Sequence, residues 1–420
     1  MATIQAVRGT KDILPQDIRK WQDLENIARN VSNSFGYQEI RTPIFEKTEV
    51  FSRGVGDNTD IVNKEMYTFF DKGNESITLR PEQTASVVRS VIQNNLITEN
   101  SATRLFYIGS YFRYERPQKG RLRQFHQYGV ECLNSPYPES DVEVILLAVN
   151  FIKHIGITDY KLKLNSIGNL ESRDKYKLAL LKYLEQNKEK LSNESKNRMV
   201  TNPLRVLDSK DKNDIEIVLN APSILNFLDN ESSEHFDIVK RILDVSNVNY
   251  DITPTLVRGL DYYSHTVFEF QNTHLGSQDA FGGGGRYNNL FSELGGKNVS
   301  ATGFAMGIER LLLILEQIKE KENSIASSIY ICSTNESYLE YVMEISSLIR
   351  ENCSTIICVT DVNRRSLKSQ LREANKLTCT FAILIGEDEF NNNTLTIKNL
   401  TEGKQETIGK DEIVNYFCIK

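Results

Sequence analysis

The chain has 420 residues, 40% of them apolar and 25% charged, with a net charge of −6. That is the make-up of a soluble globular protein with room for two or three domains. It excludes nucleic-acid binding by bulk charge, so any such binding needs local basic surfaces.

No apolar run approaches the roughly 18 residues of a membrane span; the longest resemble Val144–Val149, so no membrane partner is expected. The N-terminus reaches Arg8, Lys11 and Asp12 without an apolar signal core, which predicts a cytoplasmic protein. Six cysteines lie scattered without a CxxC pair and five histidines do not cluster with them. This argues against a metal site and for free thiols in a reducing compartment.

In chain order, residues 16–35 place Ile18, Trp21, Leu24, Ala28, Val31 and Phe35 three and four apart, predicting a helix with one apolar stripe that ends at Gly36. A strand interrupted by Pro43 follows, then a short strand, a turn at Pro81 and a helix with Thr84 near its start. Residues 104–133 read as a long β-hairpin, and a helix runs from about Ser140 to Ile152. From 170 to 251 the chain turns polar and helical, predicting an insertion. Strand-rich sequence then resumes over 252–318 and includes the run Gly282–Gly285. That run fits a tight turn with close backbone approach as well as a ligand-contacting loop. A charged linker over 319–327 leads to strands and helices in alternation from 328 to 420, predicting a compact α/β module with a mixed sheet.

Side chains alternate faces along a strand. Arg113 and Glu115 are therefore expected to share a face of the outgoing hairpin strand, with Phe125, Gln127, Gly129 and Glu131 together on the returning strand. A guanidinium, an aromatic ring, an amide, two carboxylates and a glycine gap form a floor for a small charged ligand rather than an apolar packing face. Residues 104–123 carry Arg104, Arg113, Arg116, Lys119, Arg121 and Arg123 against the acid Glu115, a pattern that a solvated basic loop would also give. Arg258 and Arg310 add guanidinia from two other segments, and arginine forks match phosphate oxygens. The chain has no GxxxxGK[ST], so a triphosphate would be gripped by side chains rather than by a P-loop.

These segments resemble the class II aminoacyl-tRNA synthetases. Three signatures stand in order: the strand at Pro43, Phe112-Arg113-Tyr114-Glu115 in the hairpin, and Gly303–Arg310 opening a helix. Within the class, RGTKDILP at 8–15, LRPEQTA at 79–85, RPQKGRLRQFHQ at 116–127 and VRGLDYYSHTVFEF at 257–270 are similar to the histidyl-tRNA synthetase family. The resemblance implies an α+β catalytic core on an antiparallel sheet (1–169 and 252–318), a helical insertion (170–251), the linker (319–327) and an anticodon-binding domain (328–420). It further implies a homodimer around the Pro43 strand, and tRNA-His, L-histidine and ATP with Mg2+ as substrates, with no tightly bound cofactor.

The same resemblance implies roles. Arg113 would hold the α-phosphate, Glu115 the adenine amino group and Arg121 the outer phosphates, while Phe125 and Arg310 sandwich the adenine. Arg258 would sit across the α-phosphate as the catalytic cation. Glu82, Thr84 and Gln127 would bind the ammonium of histidine, and Glu131 with Tyr263, and Tyr262 nearby, would read the imidazole. Gln83 stands in this histidine set where the family usually has glycine, and Asn288 and Asn289 also depart from the family pattern. Arg116 and Gln118 would meet the extra 5′ guanine of the tRNA, and a helix including Arg364 and Arg365 the anticodon. The insertion would contact the acceptor stem without editing, or equally be a solvated helical decoration, and the adenylate phosphate would accept the proton in the transfer step. The alternative is a non-catalytic histidine-sensing paralogue, the regulatory subunit of ATP phosphoribosyltransferase; a general RNA-binding protein would leave Glu82, Gln127 and Glu131 without purpose.

Overall fold

A computed structural model of the chain describes residues 3–56, 59–276, 279–318, 328–353 and 355–418, and the expected linker 319–327 lies outside them. The chain forms two compact units, Met1–Glu320 and Lys321–Lys420. Among the described residues no helix is long and apolar enough to cross a membrane.

The first unit opens with α1 (Pro15–Ser34), β1 (Gln38–Glu39), β2 (Phe45–Lys47) and α2 (Thr48–Val55). Then come β3 (Tyr67–Phe70), β4 (Ser76–Leu79), α3 (Thr84–Gln93) and the hairpin β5 (Thr103–Phe112) and β6 (Gln124–Leu133). Next are α4 (Pro138–His154), β7 (Lys161–Ser166), and the helices α5 (Leu170–Gln186), α6 (Asn193–Thr201), α7 (Lys212–Leu219) and α8 (Asn230–Val245). The unit closes with β8 (Asp251–Ile252), β9 (Ser264–Gln271), β10 (Ala280–Arg286), α9 (Leu290–Glu293), β11 (Ala301–Gly307) and α10 (Ile308–Ile318).

Eight strands form one sheet in the order β1-β5-β6-β11-β10-β9-β7-β8. The six central strands are antiparallel and the two short edge strands pair in parallel. This is the expected α+β architecture. One face of the sheet packs against helices. Trp21, Leu24, Ala28 and Val31 of α1 are buried there, as the three-and-four spacing predicts, whereas Ile18 of the expected stripe is exposed in the first turn. Helix α4 buries apolar side chains around most of its circumference, among them Val144, Ile145, Leu147, Ala148 and Phe151. Phe236, Val239 and Leu243 of α8 join the same core, whereas α5, α6 and α7 contribute to a second cluster through Tyr176, Leu180, Met199 and Val218.

Three expectations change. Strand β5 ends at Phe112, so Arg113 and Glu115 stand in the connection beyond it, where the Glu115 amide donates to the Arg113 carbonyl. Two-residue alternation stops applying once the ladder ends. The run Gly282–Gly285 is not a turn but the middle of β10, paired on both sides. A Cβ on Gly284 would lie 1.9 Å from the carbonyl oxygen of Gly303 on the next strand, so the close approach is between sheet neighbours. Cys132, Cys332, Cys358 and Cys379 are free thiols, but Cys353 is disulfide-bonded.

A buried polar link ties α4 to the sheet. Arg286, 1% exposed, pairs with the fully buried Asp141 at 3.0 Å and donates to the carbonyls of Ser135 and Tyr137, each at 2.9 Å. Asp141 also meets His235 Nε2 at 2.6 Å and accepts from Thr266 at 2.8 Å. The neighbouring cation and these donors hold its carboxyl well below the usual range despite burial.

The second unit holds β12 (Ser328–Ser333), α11 (Leu339–Asn352), β13 (Ile357–Thr360), α12 (Leu367–Lys376) and β14 (Phe381–Ile385). It ends with α13 (Glu387–Asn392), β15 (Thr394–Asn399), β16 (Gln405–Gly409) and α14 (Ile413–Cys418). The sheet order is β13-β12-β14-β15-β16, parallel at the first three strands and antiparallel after, hence mixed as expected. Ile329 and Ile331 of β12 pack with α11, and Tyr330 and Cys332 pack with Ala374 of α12. The strand is therefore covered on both faces.

Removing one partner of a buried ion pair strands the other charge. Arg286→Ala is expected to cost the first unit about 3–5 kcal/mol, measured by denaturant unfolding followed with probes in that unit.

Candidate active site

Glu131 of β6, 1% exposed, lies at the bottom of the sheet's open face. Three hydroxyls donate to its carboxylate: Thr84 at 2.8 Å and Tyr107 at 3.1 Å to Oε1, and Tyr287 at 2.5 Å to Oε2. Burial pushes its pKa up to about 8, with the nearby Glu82 carboxylate adding to the rise and the hydroxyl donors opposing it. The space is cut by glycine: a Cβ on Gly303 would stand 1.9 Å from Glu131 Oε2 and 2.4 Å from the Val130 carbonyl. Tyr262 and Tyr263 are buried beside this group, ring centroids 4.7 Å apart, with Tyr262 5.5 Å from the ring of Tyr287. Gln127, half-buried, sits higher on the same strand opposite Gly109.

Glu82 and Thr84 enter from the start of α3. Both Glu82 oxygens accept backbone amides there, Thr84 N–H at 2.7 Å and Ala85 N–H at 2.9 Å. Burial nevertheless raises the Glu82 pKa. Gln83 turns the other way: its amide donates to Thr42 and accepts from Tyr111, each at 2.9 Å. Its side chain thus braces the Pro43 segment rather than facing Glu131. Arg80 does the same, reaching the Ser110 carbonyl at 2.9 Å and the Thr42 carbonyl at 3.1 Å.

The arginines approach from the rim. Arg113 donates to the Pro81 carbonyl at 2.9 Å and lies over the Phe125 ring, 5.2 Å from its centroid. Arg121 is paired with Glu115, one contact being 3.2 Å. Glu65 is close by, its pKa raised by burial and then by the Glu115 charge. Arg310, at the start of α10, donates to the carbonyls of Gly120 at the hairpin tip and Ala280. Arg258 is held by Glu269 of β9 at 2.6 Å, over the gap at Gly283, where a Cβ would come within 2.8 Å of its guanidinium. Arg116 and Gln118 are exposed near the hairpin tip.

Tyr107, Tyr287, Glu269 and Glu65 are absent from the sequence-based set. Tyr107 had a signal, since alternation puts it on one face of β5 with Gly109 and Tyr111. So did Glu269, an acid between the apolar Phe268 and Phe270. Tyr287 and Glu65 had none. His126 lies on the other side of β6 from Glu131, bonded at 2.9 Å to Glu309 and edge-on to Trp21, and lines a cavity of about 240 Å³ between α1 and the hairpin tip.

In the second unit Arg364 and Arg365 precede α12 rather than belonging to it. Arg364 has a left-handed backbone, φ +51°, and pairs with Glu336 at 3.1 Å. Arg365 is bound to Asp361 at 2.6 Å and to the Tyr330 hydroxyl at 3.0 Å. Both border a cavity of about 430 Å³ beyond the ends of β12 and β13.

A buried carboxylate ringed by hydroxyls, with guanidinia above it, suits a ligand that brings N–H donors below and anionic oxygens above. Known proteins narrow this. The family model described as Histidyl-tRNA synthetase matches residues 9–311, and the Anticodon binding domain matches 328–418. A Histidine--tRNA ligase of Streptococcus pneumoniae is 46% identical over 99% of this chain and 97% of its own length. That of Halothermothrix orenii is also 46% identical, over 96% of each. The crystal structure of apo histidyl-tRNA synthetase from Staphylococcus aureus superposes with a TM-score of 0.82 at 37% identity, covering 99% of this chain and all of that one. With likeness of this degree running through both units, the chain belongs to the histidyl-tRNA synthetase family.

Proposed function

We infer that the chain is a histidine--tRNA ligase, which joins histidine to ATP as an adenylate and then to tRNA. The observation that carries this is the buried Glu131 of β6 with its three hydroxyl donors, together with Arg113 from the connection after β5, Arg258 from the turn before β9 and Arg310 from the start of α10. The regulatory-subunit alternative is not favoured, because ligases align along nearly the whole chain, second unit included.

Glu131 accepts from Thr84, Tyr107 and Tyr287 and has no cation in contact among the described residues, so burial favours its protonated form until a further donor arrives. An imidazole N–H supplies the missing donor. Tyr263 beside it is a phenol able to serve the other ring nitrogen, and Tyr107 and Tyr287 keep the carboxylate oriented. Glu82 and Thr84, with Gln127, offer acceptor oxygens for the ammonium; the Thr84 hydroxyl spends its proton on Glu131 and so presents its lone pairs. Gln83 supports this set from behind. An analogue without ring nitrogens leaves Glu131 and Tyr263 unpaired, a loss of about 10⁴-fold.

ATP would lie under the hairpin. Phe125 and Arg310 would stack the adenine, Arg113 would meet the α-phosphate and Arg121 the outer phosphates. Arg121 must first part from Glu115, whose carboxylate is then released to accept from the adenine amino group. Glu65 and Glu115 leave negative charge beside these guanidinia, which fits a Mg2+ ion arriving on the nucleotide; that ion supplies charge neutralisation for the departing pyrophosphate. Arg258, fixed by Glu269, would stabilise the charge that grows as the histidine carboxylate attacks the α-phosphorus. In the transfer step no side chain described at the site stands out as a base, and the adenylate phosphate accepts the proton from the ribose hydroxyl.

For tRNA, the exposed Arg116 and Gln118 would meet the 5′ end, and the cavity bordered by Arg364 and Arg365 an unstacked anticodon base. Arg365 is the anchored member, and Arg364 the one whose exposed pair with Glu336 can be exchanged for RNA. For the homodimer, Ile44, Phe45, Phe69 and Phe70 leave an exposed apolar edge beside Pro43, of the kind an isologous interface covers.

Histidine-dependent exchange of labelled pyrophosphate into ATP tests the reading. Exchange is expected with histidine alone among the amino acids, and Arg258→Ala should lower kcat by about 10²–10³-fold; absence of exchange from folded protein supplied with magnesium would sink it. Glu131 also predicts a pH dependence. Its pKa rises from 4.5 to about 8 on folding, so the stability it contributes is full below pH 4.5 and is lost as pH rises through 8. Glu131→Gln should therefore remove part of the decline in stability of the ligand-free protein between those values, as read by melting at pH 5 and pH 8. Analytical ultracentrifugation should give twice the chain mass for wild type, and Phe45→Glu should shift it toward the monomer.

A further inference from the structure

The turn from Arg258 to Tyr263 carries three residues of the proposed site but belongs to no strand or helix. On one side its Asp261 amide donates to the Val55 carbonyl of α2 at 3.2 Å. On the other it is gripped by the helical segment between β7 and β8. Arg173 of α5 sends one nitrogen, Nη1, to two carbonyls of the turn, Tyr263 at 2.9 Å and Asp261 at 3.3 Å. Asn202, just after α6, donates to the Asp261 carboxylate at 3.2 Å. Arg205 spans from the same segment to Asp60 at 3.3 Å.

We propose that Arg173 is a positioning residue for the reaction, fixing the Arg258–Tyr263 turn so that the catalytic cation and the phenol that reads the imidazole are held in register. The physical reason lies in what the turn lacks. Outside a ladder or helix, its carbonyls have no regular partner, and a backbone free to shift carries its side chains with it. Nη1 here serves two carbonyls two residues apart, and the rigid guanidinium plane fixes its direction in a way that the freely rotating ammonium of a lysine does not. Displacements on the order of 1 Å at reacting groups cost about 10²-fold in rate, so a modest loosening here reaches the chemistry although Arg173 touches no substrate. The helical segment thereby acts on the active site from outside, whatever else it contacts. The inference about catalysis rests on the ligase reading; the inference about the turn does not.

Two readouts separate them. In pyrophosphate exchange, with rates normalised to active sites, Arg173→Met is expected to raise KM for histidine by about tenfold and lower kcat by about tenfold. KM for ATP should be unchanged, because the hairpin is not involved. Arg173→Lys should recover part of both, and Lys175→Ala, an exposed residue on the same helix, should match wild type. Hydrogen exchange at the amides of 258–263 is expected to quicken about tenfold in Arg173→Met, with the melting temperature reporting on the rest of the fold. Unaltered exchange in the turn, or unaltered histidine KM and kcat in an otherwise active enzyme, overturns the proposal. A faster-exchanging turn in a protein whose wild type has no pyrophosphate exchange would uphold the clamp and remove the ligase reading instead.

Discussion

The site depends on a carboxylate buried without a counter-charge. Glu131 is 1% exposed, and its contacts are hydroxyls rather than cations. Ionising such a group is costly, and the cost shapes the surroundings. Thr84 has to come from the start of α3, Tyr107 from β5 and Tyr287 from the turn after β10, so three elements meet at one pair of oxygens. Gly303 has to be a glycine, since a side chain there would occupy the position of the carboxylate. The sheet is built around the space this group requires.

Charge at the rim follows the opposite rule. The guanidinia there have protein partners in the ligand-free protein: Arg121 on Glu115, Arg258 on Glu269, Arg113 and Arg310 on backbone carbonyls. Glu269 fixes Arg258, and Glu115 holds Arg121, so under the proposed reading the second pair parts before either serves a nucleotide. A site arranged in this way is partly pre-organised and partly self-neutralised. Behind it, the Asp141–Arg286 pair locks α4 to the end of β10, one residue before Tyr287, so the polar link in the core and the hydroxyl on Glu131 lie on one stretch of backbone.

Much of this was legible in the chain itself. Three-and-four spacing located α1, and alternation placed Phe125, Gln127 and Glu131 together on β6. The presence of several guanidinia was legible too, since residue type does not depend on the fold. The Pro43 break and the Pro81 turn were likewise local. Legibility ended where the ladder ended: Arg113 and Glu115 follow a strand but are not in it, and the glycine run at 282–285 is a strand because its neighbours need backbone at close range. Gln83 lies between Glu82 and Thr84 in sequence, yet at the start of α3 its side chain turns to Thr42 and Tyr111 while theirs do not.

The sequence by itself determined which chemical groups are available, the order of the elements and which side chains share a strand face. These follow from backbone periodicity over a few residues. Only the tertiary structure decided the partners. Tyr287 reaches Glu131 across 156 positions of chain, Glu269 fixes Arg258, and Arg173 holds the turn of Tyr263 from a helical segment 90 residues away. Those pairings depend on strand order and register in the sheet. Non-local packing sets both, and no local spacing records them.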